Sequence, residues 1–427
     1  MAGISAAVGP QVLSSGMRTA VTNATVLDTS SMTYTEGESI VIEDGVIVDV
    51  GDVQIGAADV TVDAAGRFVV PGLIDAHVHF RLATLDFRAL AGWSEVEFGI
   101  AMARLATETV ERGFTTVRDL GGEVNGLIRA IGRGATVGPR IVRAGLMMSQ
   151  TGGHGDAQGG PRAVPDCACS LRSDWASIVA DGPDAVLKAS RHLLRDGSDF
   201  LKIHVSGGVA TPSDPIDSVQ YTPAEIRAAV TEATHRGTYV AAHAYLPEAI
   251  AMAVKAGVRT IEHGNLIDDA TARLVADSDA VMVPTLVTYK AMNDVGTSLG
   301  LPRTNLEKNT VVYESGLSSL EKATAAGITL GFGTDLIGET QRMQNQELAI
   351  RAEVERPEAV LHSMWVVNAR LCRQEGRIGV IAPGAHGDLV ISQVDPLEDL
   401  VGFADHERAI THVIQGGNVM VDRSGGQ

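Results

Sequence analysis

Two histidines, His77 and His79, close the apolar run Phe68-Val69-Val70-Pro71-Gly72-Leu73-Ile74-Asp75-Ala76. Residues two apart in a strand face the same side, so both imidazoles can bind one metal ion while Val78 packs the other way. That spacing alone is a weak signal, because a solvated or core histidine pair is the commoner outcome. Further metal-capable residues end later apolar runs: Asp199-Phe200-Leu201-Lys202-Ile203-His204, Tyr239-Val240-Ala241-Ala242-His243, Thr260-Ile261-Glu262-His263 and Leu330-Gly331-Phe332-Gly333-Thr334-Asp335. Neutral imidazoles and carboxylates suit zinc and other first-row divalent ions.

These residues need elements that bring them to one point. Each apolar run is followed by a loop and an amphipathic stretch such as Glu225–Ala233 or Pro247–Val254, an alternation that implies βα units and a parallel sheet. Eight strands are expected, at about 68–79, 114–119, 139–147, 199–205, 238–243, 259–262, 281–287 and 328–334. Eight predict an α/β fold, a (β/α)8 TIM-type barrel over 67–384 whose C-terminal strand ends share one mouth. Thr222-Pro223-Ala224-Glu225 reads as a capped helix start, and Gly257 and Gly327 as helix ends. The stretch 306–326 is helical in period.

The ordered set resembles the amidohydrolase superfamily in its binuclear metal subtype, over nearly the whole chain. The resemblance implies His77 and His79 on the first strand, a carboxylated Lys202 on the fourth, His243 and His263 on the fifth and sixth, and Asp335 on the eighth. Two divalent ions, zinc above all, are the implied cofactors, with carbon dioxide held as N6-carboxylysine at Lys202. His77, His79 and Asp335 would hold the more buried ion, and His243 and His263 the other. Two ions about 3.5–4 Å apart would share an acidified water, and Asp335 would act as general base and then acid. Taken alone, Lys202 also fits an ion-paired or snorkelling side chain, and Asp335 a turn or helix cap.

The loops narrow the resemblance. Thr151-Gly152-Gly153-His154-Gly155-Asp156, Asp181-Gly182-Pro183 and Ser206-Gly207-Gly208-Val209-Ala210-Thr211-Pro212 are similar to a branch of imidazolonepropionase-related proteins, prolidase-like dipeptidases, N-acyl-amino-acid hydrolases and ochratoxin-degrading amidohydrolases. That branch implies cleavage of an amide beside a free carboxylate. A hydrolase of ureas or carbamates with the same metal centre is the alternative. His154 can hydrogen-bond a substrate carbonyl or carboxylate, or simply solvate its loop. Tyr245, two residues after His243, can donate to the substrate or line the barrel wall. Arg118 can grip a carboxylate, unless Asp119 or another acid neutralises it.

Composition fits a large enzyme. A formal charge of −18, from 52 acidic against 34 basic residues, disfavours nucleic acid or an anionic membrane as partner. Small-molecule amides or dipeptides are the expected substrates, in a homo-oligomer. No run approaches a membrane span, and residues 1–17 read as a disordered extension, so the cytoplasm is the expected location. The three cysteines, Cys167, Cys169 and Cys372, are too few for a disulfide framework, and Cys167-Ala168-Cys169 lacks nearby partners for a metal site. The chain ends, 18–66 and 385–427, carry alternating strands and an Asp44-Gly45 hairpin turn. The resemblance pairs them as a small β-sandwich; the pattern alone also permits two separate sheets.

Overall fold

The computed structural model describes residues 16–156, 172–173, 176–212 and 214–425. Cys167, Cys169 and the expected extension up to residue 15 lie outside these.

Both chain ends enter one eight-stranded sheet. Arg18–Asp28, Thr33–Glu43, Val46–Gly51, Val60–Asp63 and Phe68–Pro71 supply one part, and Leu389–Ser392, Ile410–Gln415 and Asn418–Asp422 the other. Phe68–Pro71 is the joint, paired parallel to Arg18–Asp28 and antiparallel to Leu389–Ser392. Val21, Ile40, Ile47, Leu389 and Ile414 bury one shared apolar cluster there. The hairpin turns on Asp44 and Gly45, whose φ values of 48° and 80° suit the right-handed twist of its strands.

The strand expected over 68–79 is therefore two strands. Gly72 separates them, donating its N–H to Asp388 O at 2.8 Å. Leu73–Val78 then opens a different, parallel sheet with Phe114–Asp119 and Arg140–Arg143. The remaining sheet runs Arg172–Ser173, Ser177–Val179, Met147–Ser149, Leu201–His204, Val240–Ala244, Thr260–His263, Val281–Val283 and Thr329–Leu330. Its pairs are parallel except the first. The two parallel sheets are separate in their ladders, so the fold is mixed α/β with parallel sheets. Main-chain hydrogen bonds still link them, from Ala76 N to Phe332 O at 2.8 Å, Asp335 N to His77 O at 2.7 Å and Asp199 N to Arg143 O at 2.9 Å.

Three further strand extents differ from the sequence reading. The run 139–147 breaks around Gly145 (φ 75°) into Arg140–Arg143 and the start of Met147–Ser149. The run 281–287 stops at Val283, and the helix Leu286–Val295 begins three residues later. The run 328–334 keeps only Thr329–Leu330 as ladder, because side chains take over the next backbone groups. Asn368 bonds both Phe332 N (3.1 Å) and Phe332 O (2.8 Å), and Arg351 Nη1 donates to Gly331 O at 2.8 Å.

Helices follow their punctuation. Thr222 caps Pro223–His235 with the reciprocal Glu225 contact, Oε2 accepting Thr222 N at 2.7 Å. Arg303–Ala326 ends on Gly327 in the left-handed region (φ 79°). Among the described residues no helix is long and apolar enough to cross a membrane.

A Cβ at position 72 would stand 2.0 Å from Thr115 Oγ1 and 2.8 Å from its Cγ2. Gly72→Ala is expected to lower unfolding stability by about 1–3 kcal/mol through overpacking at the joint of two sheets, measured by chemical denaturation. An unchanged midpoint would show that the joint is loose.

Candidate metal centre

One cavity of about 600 Å³ collects the residues singled out by sequence: His77, His79, His154, Lys202, His243, Tyr245, His263 and Asp335 all line it. At its floor, His77 Nε2 and His79 Nε2 each lie 3.3 Å from Asp335 Oδ1. One donor atom each from His77, His263 and Asp335 fall within 4.8 Å of one another, which is spacing for a shared cation. His243 adjoins them, its ring centroid 4.7 Å from that of His263. His77 Nε2 is buried without a hydrogen-bond partner among the described residues, an orphan that a metal ion would satisfy.

Each of these imidazoles has one nitrogen engaged and the other left over. His77 Nδ1 meets Glu262 Oε2 at 2.8 Å, His79 Nδ1 meets Gly121 O at 3.1 Å, and His263 Nδ1 meets Thr285 Oγ1 at 2.8 Å. His243 instead engages Nε2, with Gly207 O at 3.1 Å. Donating a proton to such a partner fixes the tautomer and aims the opposite lone pair, the arrangement metal-binding histidines use. Burial pushes the protonation of His243 and His263 well below the ordinary range, which keeps them as neutral ligands.

Strict strand alternation would send Glu262 and His263 to opposite sides. His263 turns back with φ 73°, so both reach His77. Asp335 likewise has φ 53°. Left-handed backbone at non-glycine residues costs free energy and concentrates at functional sites.

Lys202 is sealed beneath the cavity, with no hydrogen bond or ion pair among the described residues. Burial lowers its ammonium to about 8, against the opposing pull of Glu262 and Asp335. A lysine in that state has an appreciable neutral fraction near neutral pH, which is the form that adds carbon dioxide.

Arg118 is not free to bind substrate. It is fully buried and gives Nη2 to Glu262 Oε1 at 2.7 Å and Nε to Ala76 O at 2.6 Å. Its neutralising acid is Glu262, while Asp119 accepts the backbone N–H groups of Phe80 and Gly121. Burial would raise the Glu262 carboxyl, but Arg118 and the His77 hydrogen bond hold it well below the usual range. Asp75 was also passed over by the sequence reading: it accepts His77 N, Thr334 N and Thr334 Oγ1, tying the first metal-bearing strand to the Asp335 segment. The signal for both acids was position, since each lies within two residues of a histidine on an apolar strand.

His154 overlies His243, centroids 4.5 Å apart and planes 20° from parallel, with Nδ1 3.3 Å from Asp214 Oδ2. Tyr245 shares a hydroxyl contact with Tyr289 at 2.8 Å. Leu82, Leu85, Met147, Val209, Met292 and Ile337 supply an apolar wall. His204 joins the same cavity, two residues beyond Lys202.

The model of the amidohydrolase family matches residues 68–420, and the chain belongs to that family. It is a hydrolytic enzyme of the metal-dependent amidohydrolase type, in the branch of prolidase-like proteins and ochratoxinase. It is similar to ochratoxinase of Aspergillus niger, 28% identical over 365 residues that span 82% of this chain and 75% of the relative. Among solved structures, a prolidase complexed with N-methylphosphonate-L-proline is 40% identical with a TM-score of 0.89, covering 94% of this chain and 99% of the other. A Xaa-Pro dipeptidase with methionine bound in its active site is 30% identical with a TM-score of 0.84, over the same shares, 94% and 99%.

Glu262→Gln removes the charge that orients His77 and neutralises Arg118. Metal affinity is expected to fall about 10–100-fold in chelator competition. Unfolding stability is expected to drop by about 3–5 kcal/mol, because Arg118 loses its buried counter-charge. Unaltered metal affinity would contradict the role given to Glu262.

Proposed function

We propose that the chain hydrolyses an amide bond beside a free carboxylate, in an N-acyl amino acid, a dipeptide or an ochratoxin-like aryl amide. The observation that carries this reading is the pairing of the histidine and aspartate donor set with His154 and an apolar wall across one cavity. The names of the similar proteins, a prolidase, a Xaa-Pro dipeptidase and ochratoxinase, support it.

His77, His79 and Asp335 would hold one divalent ion and His243 and His263 a second, with Lys202 bridging as its carbamate. Bound ions would acidify a water and draw electron density from the scissile carbonyl. Asp335 takes the proton from that water and returns it to the leaving nitrogen. Tyr245 steadies the carbonyl oxygen with its phenolic hydrogen. His154 holds the substrate carboxylate, and the Leu82, Met147 and Ile337 side of the cavity receives an apolar side chain. The strand set closes as a (β/α)8 barrel with the end sheet folded as a sandwich, giving a barrel at 67–384 flanked by 18–66 and 385–427. The assembly is a homo-oligomer of the cytoplasm.

A matched panel on metal-replete enzyme tests the substrate class: N-acyl amino acids, Xaa-Pro and Xaa-Phe dipeptides, ochratoxin, and aryl ureas or carbamates without a carboxylate. Turnover confined to the carboxylate-bearing members is expected. Turnover of ureas or carbamates alone would replace this reading with the alternative one.

Lys202→Ala removes the bridge. Bound metal is expected to fall below two per chain and kcat at least about 100-fold, with partial recovery in acetate or propionate, whose carboxylate can occupy the carbamate position. Full activity and metal content in the variant would eliminate the bridging role.

A further inference from the structure

The strand Leu201–His204 sends two residues to the same side, Lys202 and His204. The His204 ring lines the cavity, nearly sealed from solvent at 3% exposure. It packs edge-on to His154, with centroids 5.1 Å apart and planes at 82°, and lies 5.4 Å from His243.

His204 differs from the four histidines assigned to metal. Each of those has a ring nitrogen held by a carboxylate, carbonyl or hydroxyl, whereas His204 Nδ1 is buried with no partner among the described residues. Gly155 explains this: a Cβ there would come within 2.9 Å of both Nδ1 and Cε1 of His204, so the loop backbone lies flat against that edge. The polar groups of Gly155 are already engaged, its N–H with Ser149 Oγ at 3.0 Å and its carbonyl with the Ser177 hydroxyl. An Nδ1 proton would have no acceptor among the described residues, which leaves Nε2 as the nitrogen to carry it.

We propose that His204 is a substrate-binding residue, which donates its Nε2–H to the substrate carboxylate beside His154. Two imidazoles set edge to face would then receive the two carboxylate oxygens from different directions. The site would select for a free carboxylate through one residue from the loop after Ser149 and one from the strand carrying Lys202. A ligand lacking the carboxylate would leave the buried His204 donor unsatisfied, which is a stronger penalty than the loss of an exposed contact.

This inference rests on the carboxylate-adjacent substrate class proposed above. The test compares the best substrate of the panel with its carboxamide, on wild type, His204→Leu and His204→Gln, with bound metal counted for each. Leucine keeps bulk without a donor, and glutamine can place an amide N–H near the Nε2 position. In His204→Leu, KM for the carboxylate substrate is expected to rise about 10–100-fold with kcat little changed. The preference over the carboxamide should shrink to match, metal content should stay at the wild-type level, and His204→Gln should recover part of the loss.

If wild type turns over no carboxylate substrate, or does not prefer it to the carboxamide, the proposed function fails and this inference with it. If wild type shows the preference and His204→Leu keeps both KM and preference, the inference alone fails. Loss of metal, or a fall in kcat equal for both substrates, would make His204 a ligand or a packing residue and would also overturn it.

Discussion

The Glu262 carboxylate, sealed from solvent between His77 and Arg118, is the interaction on which the rest of the site depends. A lone carboxylate at that depth would be too costly to keep ionised. Arg118 supplies the charge that stabilises it, and the Arg118 Nε bond to Ala76 O anchors the pair to the backbone of the strand that bears His77 and His79. The same carboxylate accepts from His77 Nδ1, which turns Nε2 toward Asp335. One buried ion pair thus fixes a tautomer, a ring orientation and the relative position of three strands.

The surrounding electrostatics follow from that arrangement. Burial keeps the His243 and His263 imidazoles neutral, outweighing the opposing pull of Asp335. Lys202 makes no ion pair among the described residues, and burial weakens its hold on a proton against the pull of Glu262 and Asp335. A site rich in neutral nitrogen donors, with Asp335 among them, is short of positive charge, and divalent cations are the species that complete it. The open side of the cavity is different in character, with apolar walls and polar groups concentrated around His154, His204 and Tyr245.

The residues that line the cavity floor were legible in the sequence because each ends an apolar strand, a position that depends only on local pattern. Their supports were less legible. Glu262 stands 144 residues from Arg118, and only the fold brings them together, so Arg118 read equally well as a substrate anchor. Asp75 carries no role in the sequence pattern, yet it cross-links His77 to Thr334. The continuous apolar pattern of 68–79 hid the passage between two sheets, because apolarity records burial and not the identity of the partner strand. His204 was visible as a strand-end residue, but its unpartnered Nδ1 depends on how closely the Gly155 backbone approaches.

Anomalous diffraction from a zinc-loaded crystal is the most direct test of the proposed two-ion centre bridged by a carboxylated Lys202. Two peaks about 3.5–4 Å apart are expected, one beside His77, His79 and Asp335 and one beside His243 and His263, with density for a carboxylate beyond Lys202 Nζ. A single peak with an unmodified Lys202 in a fully active, zinc-saturated enzyme would contradict it.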